Sequence, residues 1–222
     1  MLLTRVGGLY APSSVTPVSL DQTVNFPNGA VSANIDVTMT VSSGATLLIA
    51  IVPNRGTLAD ITGAVWDPAG ANQAMTLLTN GSIATGAVVQ GLKVFGLINP
   101  TAGASKTLRA TTGGTFATSI AGASFFNTNT SALSSAVINP ASAKNGSTTT
   151  SYNASITAAA NNMGLAVTHC ANTNSSSATW TAATQSSINM RSGFYITTGT
   201  VSSTIQPDVA DECSRFVAEI SV

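Results

Sequence analysis

Hydrophobic and polar residues alternate or cluster in four stretches that read as β-strands. Ile35, Val37, Met39 and Val41 alternate with Asn34, Asp36, Thr38 and Thr40, the period of two that a half-buried strand requires. Leu47, Leu48, Ile49, Ala50, Ile51 and Val52 form an unbroken aliphatic run between the turn Ser42-Ser43-Gly44 and the breakers Pro53, Asn54 and Gly56. Such a run predicts a strand buried on both faces. A third strand is expected over residues 92–98, ahead of Asn99-Pro100. At the carboxyl end Phe216, Ala218, Ile220 and Val222 alternate with Arg215, Val217, Glu219 and Ser221. No segment sustains the i, i+3, i+4, i+7 pattern of a helix, and the Ala-rich residues 157–160 are too few to hold one alone.

Between these stretches 59 Ser and Thr and 19 Gly punctuate the chain at short intervals. Thr suits a pleated surface because its branched Cβ is stiff and its hydroxyl needs no charge to be satisfied. Many short strands without crossover helices predict an all-β fold, an antiparallel two-sheet β-sandwich that is jelly-roll-like. Residues 1–20 break the pattern with Pro12 and Pro17 and read as an extended N-terminal arm, with residues 21–222 as a single β-sandwich domain. The arm is either a frayed terminus or a segment that orders against a partner through Leu2, Leu3, Val6, Leu9 and Tyr10. Residues 172–177, rich in Ser and Asn, read as a long exposed loop.

Charge narrows the functional classes. Eight Lys and Arg balance eight Asp and Glu, and charged residues make up only 7% of the chain, well below the roughly 25% of ordinary domains. That argues against a basic nucleic-acid surface and against docking on anionic lipid. The start lacks a basic region followed by an apolar core, and the longest aliphatic run is far short of a membrane span. The expected origin is a cytoplasm without export, where thiols are the default. Between Arg109 and Arg191 the one formally charged residue is Lys144. Such a surface gives little steering or self-repulsion and suits a protein held in an assembly.

Few residues offer chemistry. His169 and Cys170 are adjacent, and neighbours in a strand point to opposite faces, so they form no dyad with each other. Zinc spacing is missing, and the glycines match no phosphate-binding loop. No catalytic residue and no cofactor are expected. Asp208, Asp211 and Glu212 form an acidic cluster that is a weak candidate for a hard cation and otherwise a solvated loop. Asp60 and Asp67 join it only if folding brings them close. Cys170 lies on the small-residue face of Gly164, Ala166 and Thr168, and Cys213 on the face of Arg215 and Glu219. Both thiols are therefore expected on outward-facing or small-residue surfaces. An intrachain bridge, a link to another subunit and free thiols all remain open. Trp66 and Trp180, in polar surroundings, are possible platforms for sugar rings, with a core or rim position as the alternative.

The order of segments resembles a known group. Gly44-Ala45-Thr46-Leu47-Leu48-Ile49-Ala50-Ile51, then Ile61-Thr62-Gly63-Ala64-Val65-Trp66-Asp67 with Ala74-Met75-Thr76-Leu77-Leu78, resemble a strand and hairpin of β-sandwich virion structural proteins of tailed phages. Val94-Phe95-Gly96-Leu97-Ile98-Asn99-Pro100-Thr101-Ala102-Gly103 is similar to their next turn, with Phe-Gly where aromatics are usual. Ala121-Gly122-Ala123-Ser124-Phe125-Phe126-Asn127 and residues 215–222 resemble their last strands. The resemblance covers roughly residues 30–222 and transfers no catalytic residue. It implies a non-enzymatic virion protein of the head-decoration or tail-associated type, made in the host cytoplasm. A capsid decoration protein docked on the major capsid protein, oligomeric and trimeric by analogy, is the leading expectation. A carbohydrate-binding or adhesive module on a tail or fibre is the alternative.

Overall fold

The computed structural model describes residues 15–26, 30–84, 91–144, 152–171, 175–179, 182–186, 190–207 and 213–222. Strands β1 (Ser19–Val24), β9 (Ala121–Phe126), β3 (Leu47–Asn54), β7 (Gly91–Ile98) and β6 (Thr76–Ala84) form one antiparallel sheet in that order. Strands β2 (Asn34–Val41), β8 (Gly103–Thr112), β4 (Ile61–Trp66) and β5 (Gln73–Ala74) form a second. A third contains β10 (Val137–Lys144), β17 (Cys213–Ile220), β12 (Met163–Ala171), β15 (Met190–Thr198) and β14 (Ala182–Ser186). The fourth is β11 (Tyr152–Thr157), β16 (Thr200–Pro207) and β13 (Ser175–Thr179). Among the described residues helix is confined to the 3-10 turn Leu58–Asp60 and one turn of α-helix, α1 (Leu133–Ala136).

The all-β reading holds, but the described residues form four sheets where two were expected. The reason lies in β3, all of whose residues are buried. Leu48, Ala50 and Val52 pack with Ile35, Met39, Trp66 and Leu108 from the β2–β8–β4 sheet. Leu47, Ile49 and Ile51 face the other way, into a core shared with Leu165, Val167, Phe194 and Phe216 of the β12 sheet. The far side of that sheet is covered in turn by the β11–β16 sheet through Ala154, Ala166, Val201 and Val217. A strand apolar on both faces needs a layer on each side, so the chain stacks four layers deep.

The two halves of the chain repeat one strand order. In the first half the inner sheet runs β1-β9-β3-β7-β6 and the outer one β2-β8-β4; in the second the inner sheet runs β10-β17-β12-β15-β14 and the outer one β11-β16-β13. Each strand of the second half takes the place of its counterpart in the first, and β5 alone has no equivalent among the described strands. The two inner sheets face each other. Asn80 Nδ2 on β6 donates to Pro140 O on β10 at 2.9 Å, and Phe26 meets Phe194 edge-on at 6.2 Å.

Two local expectations are corrected. Ser175 and Ser177, read as loop, belong to β13, where the backbone pairs with Pro207 and Gln206. Serine carries no hydrophobic period, so this strand follows from its partner and not from its own sequence. Ser19 and Leu20, assigned to the arm, pair with Phe126 and Phe125 in β1. The interface candidates Leu2, Leu3, Val6, Leu9 and Tyr10 lie outside the described residues. The segment just before β1 is tied to both halves. Asn127 Nδ2 donates to Pro17 O at 3.0 Å, and the N–H of the buried Val18 donates to Asn161 O at 2.8 Å.

Candidate functional site

Trp66 is fully buried in the core of the first half, and its indole N–H donates to Thr101 O at 2.9 Å. It is therefore no sugar platform: Ala64 and Trp66 take the inward positions of β4 while Gly63 and Val65 are only half-buried. Trp180, Asp208, Asp211 and Glu212 lie outside the described residues. Asp67 and Asp60 serve separate networks. Asp67 accepts from Ala71 N–H at 2.9 Å and from the Lys106 ammonium, and these partners, the backbone N–H first, hold its carboxyl below the usual range. Asp60 is buried in the β3–β4 connection, where its Oδ1 accepts from Thr115 N–H at 3.3 Å.

Cys170 and Cys213 face each other in the register of β12 and β17, with Cα atoms 4.3 Å apart, and are joined by a disulfide. That spacing matches a non-hydrogen-bonded antiparallel pair, where side chains come closest. Of the two surfaces expected for the thiols, outward-facing or small-residue, the outward one is excluded, since both cysteines are buried. The faces were assigned correctly, but the β11–β16 sheet covers them, and Tyr152 packs on the bridge. Burial pushes the Tyr152 phenol up, with the Arg215 guanidinium 5.6 Å from its ring centroid opposing that shift. His169 points to the opposite face, where Nδ1 lies 2.8 Å from Ser192 Oγ inside the protein.

Glu219 is a buried carboxylate that sequence reasoning placed on an outward face. Its Oε1 accepts from Ala159 N–H at 2.6 Å and Asn162 Nδ2 at 2.7 Å, and its Oε2 from Asn139 Nδ2 at 3.0 Å. Burial alone would raise its pKa; the three donors outweigh burial and leave it below the ordinary glutamate value. The cluster ties β10, the turn before β12 and β17 together, and Asn162 Oδ1 also accepts from Val222 N–H at 3.2 Å.

The outer sheets present polar faces. On β2 and β8, Thr38 pairs with Thr107 and Asn34 with Thr111 around a bidentate Arg109–Asp36 ion pair, both bonds 2.7 Å. On β11 and β16, Asn153, Ser155, Thr157, Thr200, Ser202 and Thr204 form an uncharged face. Its side chains bond within the face: Ser202 Oγ donates to Asn153 Oδ1 at 2.8 Å, and Thr157 and Thr200 hydroxyls lie 3.0 Å apart.

Concavities interrupt the surface of the described residues. One, of about 190 Å³, sits at the junction of the halves between Leu77, Leu78, Leu133, Val137 and Pro140. Another, of about 360 Å³, is lined by Val31, Arg55, Thr115, Phe116 and Ala117, where the β3–β4 and β8–β9 connections meet. Nothing in the sequence joins positions 31, 55 and 116, because their proximity follows from β3 and β9 being neighbours. Among the described residues no three His, Cys, Asp or Glu side chains converge as metal ligands. Compared with known proteins, the chain matches no family model and no curated sequence.

Proposed function

We propose that the chain is a non-enzymatic structural protein of a tailed-phage virion, a decoration or surface component that docks on the major capsid protein. On this reading each half is a jelly roll, its five-stranded inner sheet and its smaller outer sheet being the two layers of that fold. The observation that carries the proposal is the outer faces. Rows of Ser, Thr and Asn on β11 and β16, bonded to one another and uncharged, offer contact area with little desolvation of charge and little mutual repulsion. Assembly into a homo-oligomer, a trimer by analogy, and a role for residues 1–20 as a docking arm belong to the same proposal. Burial of Trp66 removes one of the two aromatic platforms on which the sugar-binding alternative rested.

The test is to purify particles from cells producing the chain and to measure its copy number by quantitative mass spectrometry. Many copies per particle, lost when residues 1–20 are deleted while the body still folds, is the expected result. A chain that never sediments with particles overturns the proposal.

A further inference from the structure

We infer that the loop-end concavity around Arg55 is a protein-docking site that receives an aspartate or glutamate side chain of the partner. This inference rests on the docking function proposed above and specifies its anchor.

The described cations are few and mostly committed. Lys106 and Arg109 are in ion pairs, Lys93 Nζ donates to Ile61 O at 2.7 Å, and Arg215 donates to Asn153 O. Arg55 is half-buried, has no ion pair or side-chain hydrogen bond among the described residues, and lines the 360 Å³ concavity. Asp60 stands behind Thr115 and forms no ion pair with Arg55. A guanidinium fork matches a carboxylate in bidentate fashion.

The walls are fixed in advance. Asn54, fully buried, accepts from Gly56 N–H at 3.3 Å and donates to Thr57 O at 3.1 Å. Arg55 N–H donates to Ala117 O at 2.9 Å, and Thr112 Oγ1 accepts from Gly114 N–H at 2.9 Å. Phe116 lies over Gly56 so closely that a Cβ there would overlap its ring. Val31, 58% exposed, and Phe116 flank the charge with apolar surface. Arginine is among the residue types enriched in binding hot spots between proteins.

The probe is the peptide Ac-Leu-Glu-Leu-NH2, titrated into the full ¹⁵N-labelled chain, with Ac-Leu-Gln-Leu-NH2 as the neutral control. The glutamate peptide should shift the Arg55 side-chain N–H and the amides of Thr115 and Phe116 saturably, and the glutamine peptide should not. Arg55→Ala should abolish the response and Arg55→Lys should weaken it roughly tenfold. Equal response to both peptides, a response surviving Arg55→Ala, or tighter binding of glucuronate than of the peptide overturns the inference. Particle association unchanged in Arg55→Ala overturns the site and leaves the virion reading standing. Peptide binding by a chain that never joins particles does the reverse.

Discussion

In the first half of the chain the gap between the two sheets is filled by Trp66, Leu108, Met39, Ile35 and Phe95. Among the described residues the corresponding gap in the second half holds Ala154, Ala166, Val201 and Val217, with Ile156 and Tyr195 partly buried against them and the Cys170–Cys213 bridge beside them. One strand order is thus closed in two ways. The first half relies on apolar area and packing. The second brings its layers together over small residues, where Gly164 leaves no room for a Cβ beside Val201, and supplements that thin core with a covalent link and a buried hydroxyl pair, Thr168 and Ser203, 2.9 Å apart. The topology does not prescribe a particular chemistry of closure, provided each sheet face is covered and its polar groups are paired.

The comparison makes Trp66→Ala the most damaging single change in the first half. Truncating a fully buried tryptophan is expected to cost about 3–5 kcal/mol, read as a lower urea midpoint. Trp66→Phe should recover most of the packing while still leaving Thr101 O without its donor. In the second half, replacing both cysteines by alanine should cost about 4 kcal/mol, the loop-closure value for a separation of 43 residues. A double-cysteine variant as stable as the parent would show that the small-residue core suffices alone.

Glu219→Gln should cost about 2 kcal/mol near neutral pH, because one amide cannot accept from all three donors. The pH dependence has a defined sign. A carboxylate held below its unfolded value stabilises the fold fully above that value and loses the contribution as pH falls through the depressed one. The parent should therefore lose stability below the ordinary carboxylate range near pH 4, and Glu219→Gln should flatten that limb in equilibrium unfolding. Gly164→Ala should cost somewhat less, about 1–2 kcal/mol, by forcing Val201 and the outer sheet away from β12. A similar loss at Gly44, which has open space and a φ of +89°, would instead reflect backbone strain.

Strands β2, β3, β7 and β17 were legible from alternation and breakers because each has an apolar face that can only point inward. The doubly apolar run of β3 demands a layer on each side and so more than two layers in all. Cys170, Cys213 and Glu219 were placed on the right faces, yet those faces meet a further sheet and not solvent. Ser175–Thr179 carries no period of its own and forms a strand because β16 offers it backbone partners. Arg55 and Phe116 were illegible as a pair, since only the adjacency of β3 and β9 brings their loops together.

The central claim is that one strand order is held by apolar packing in the first half and by the bridged, small-residue core in the second. Hydrogen exchange of the parent against the Cys170→Ala/Cys213→Ala variant tests it most directly. Exchange should accelerate in β11, β12, β16 and β17 and stay unchanged in β2, β4 and β8. Equal acceleration in both halves, or none in the second, would contradict the account.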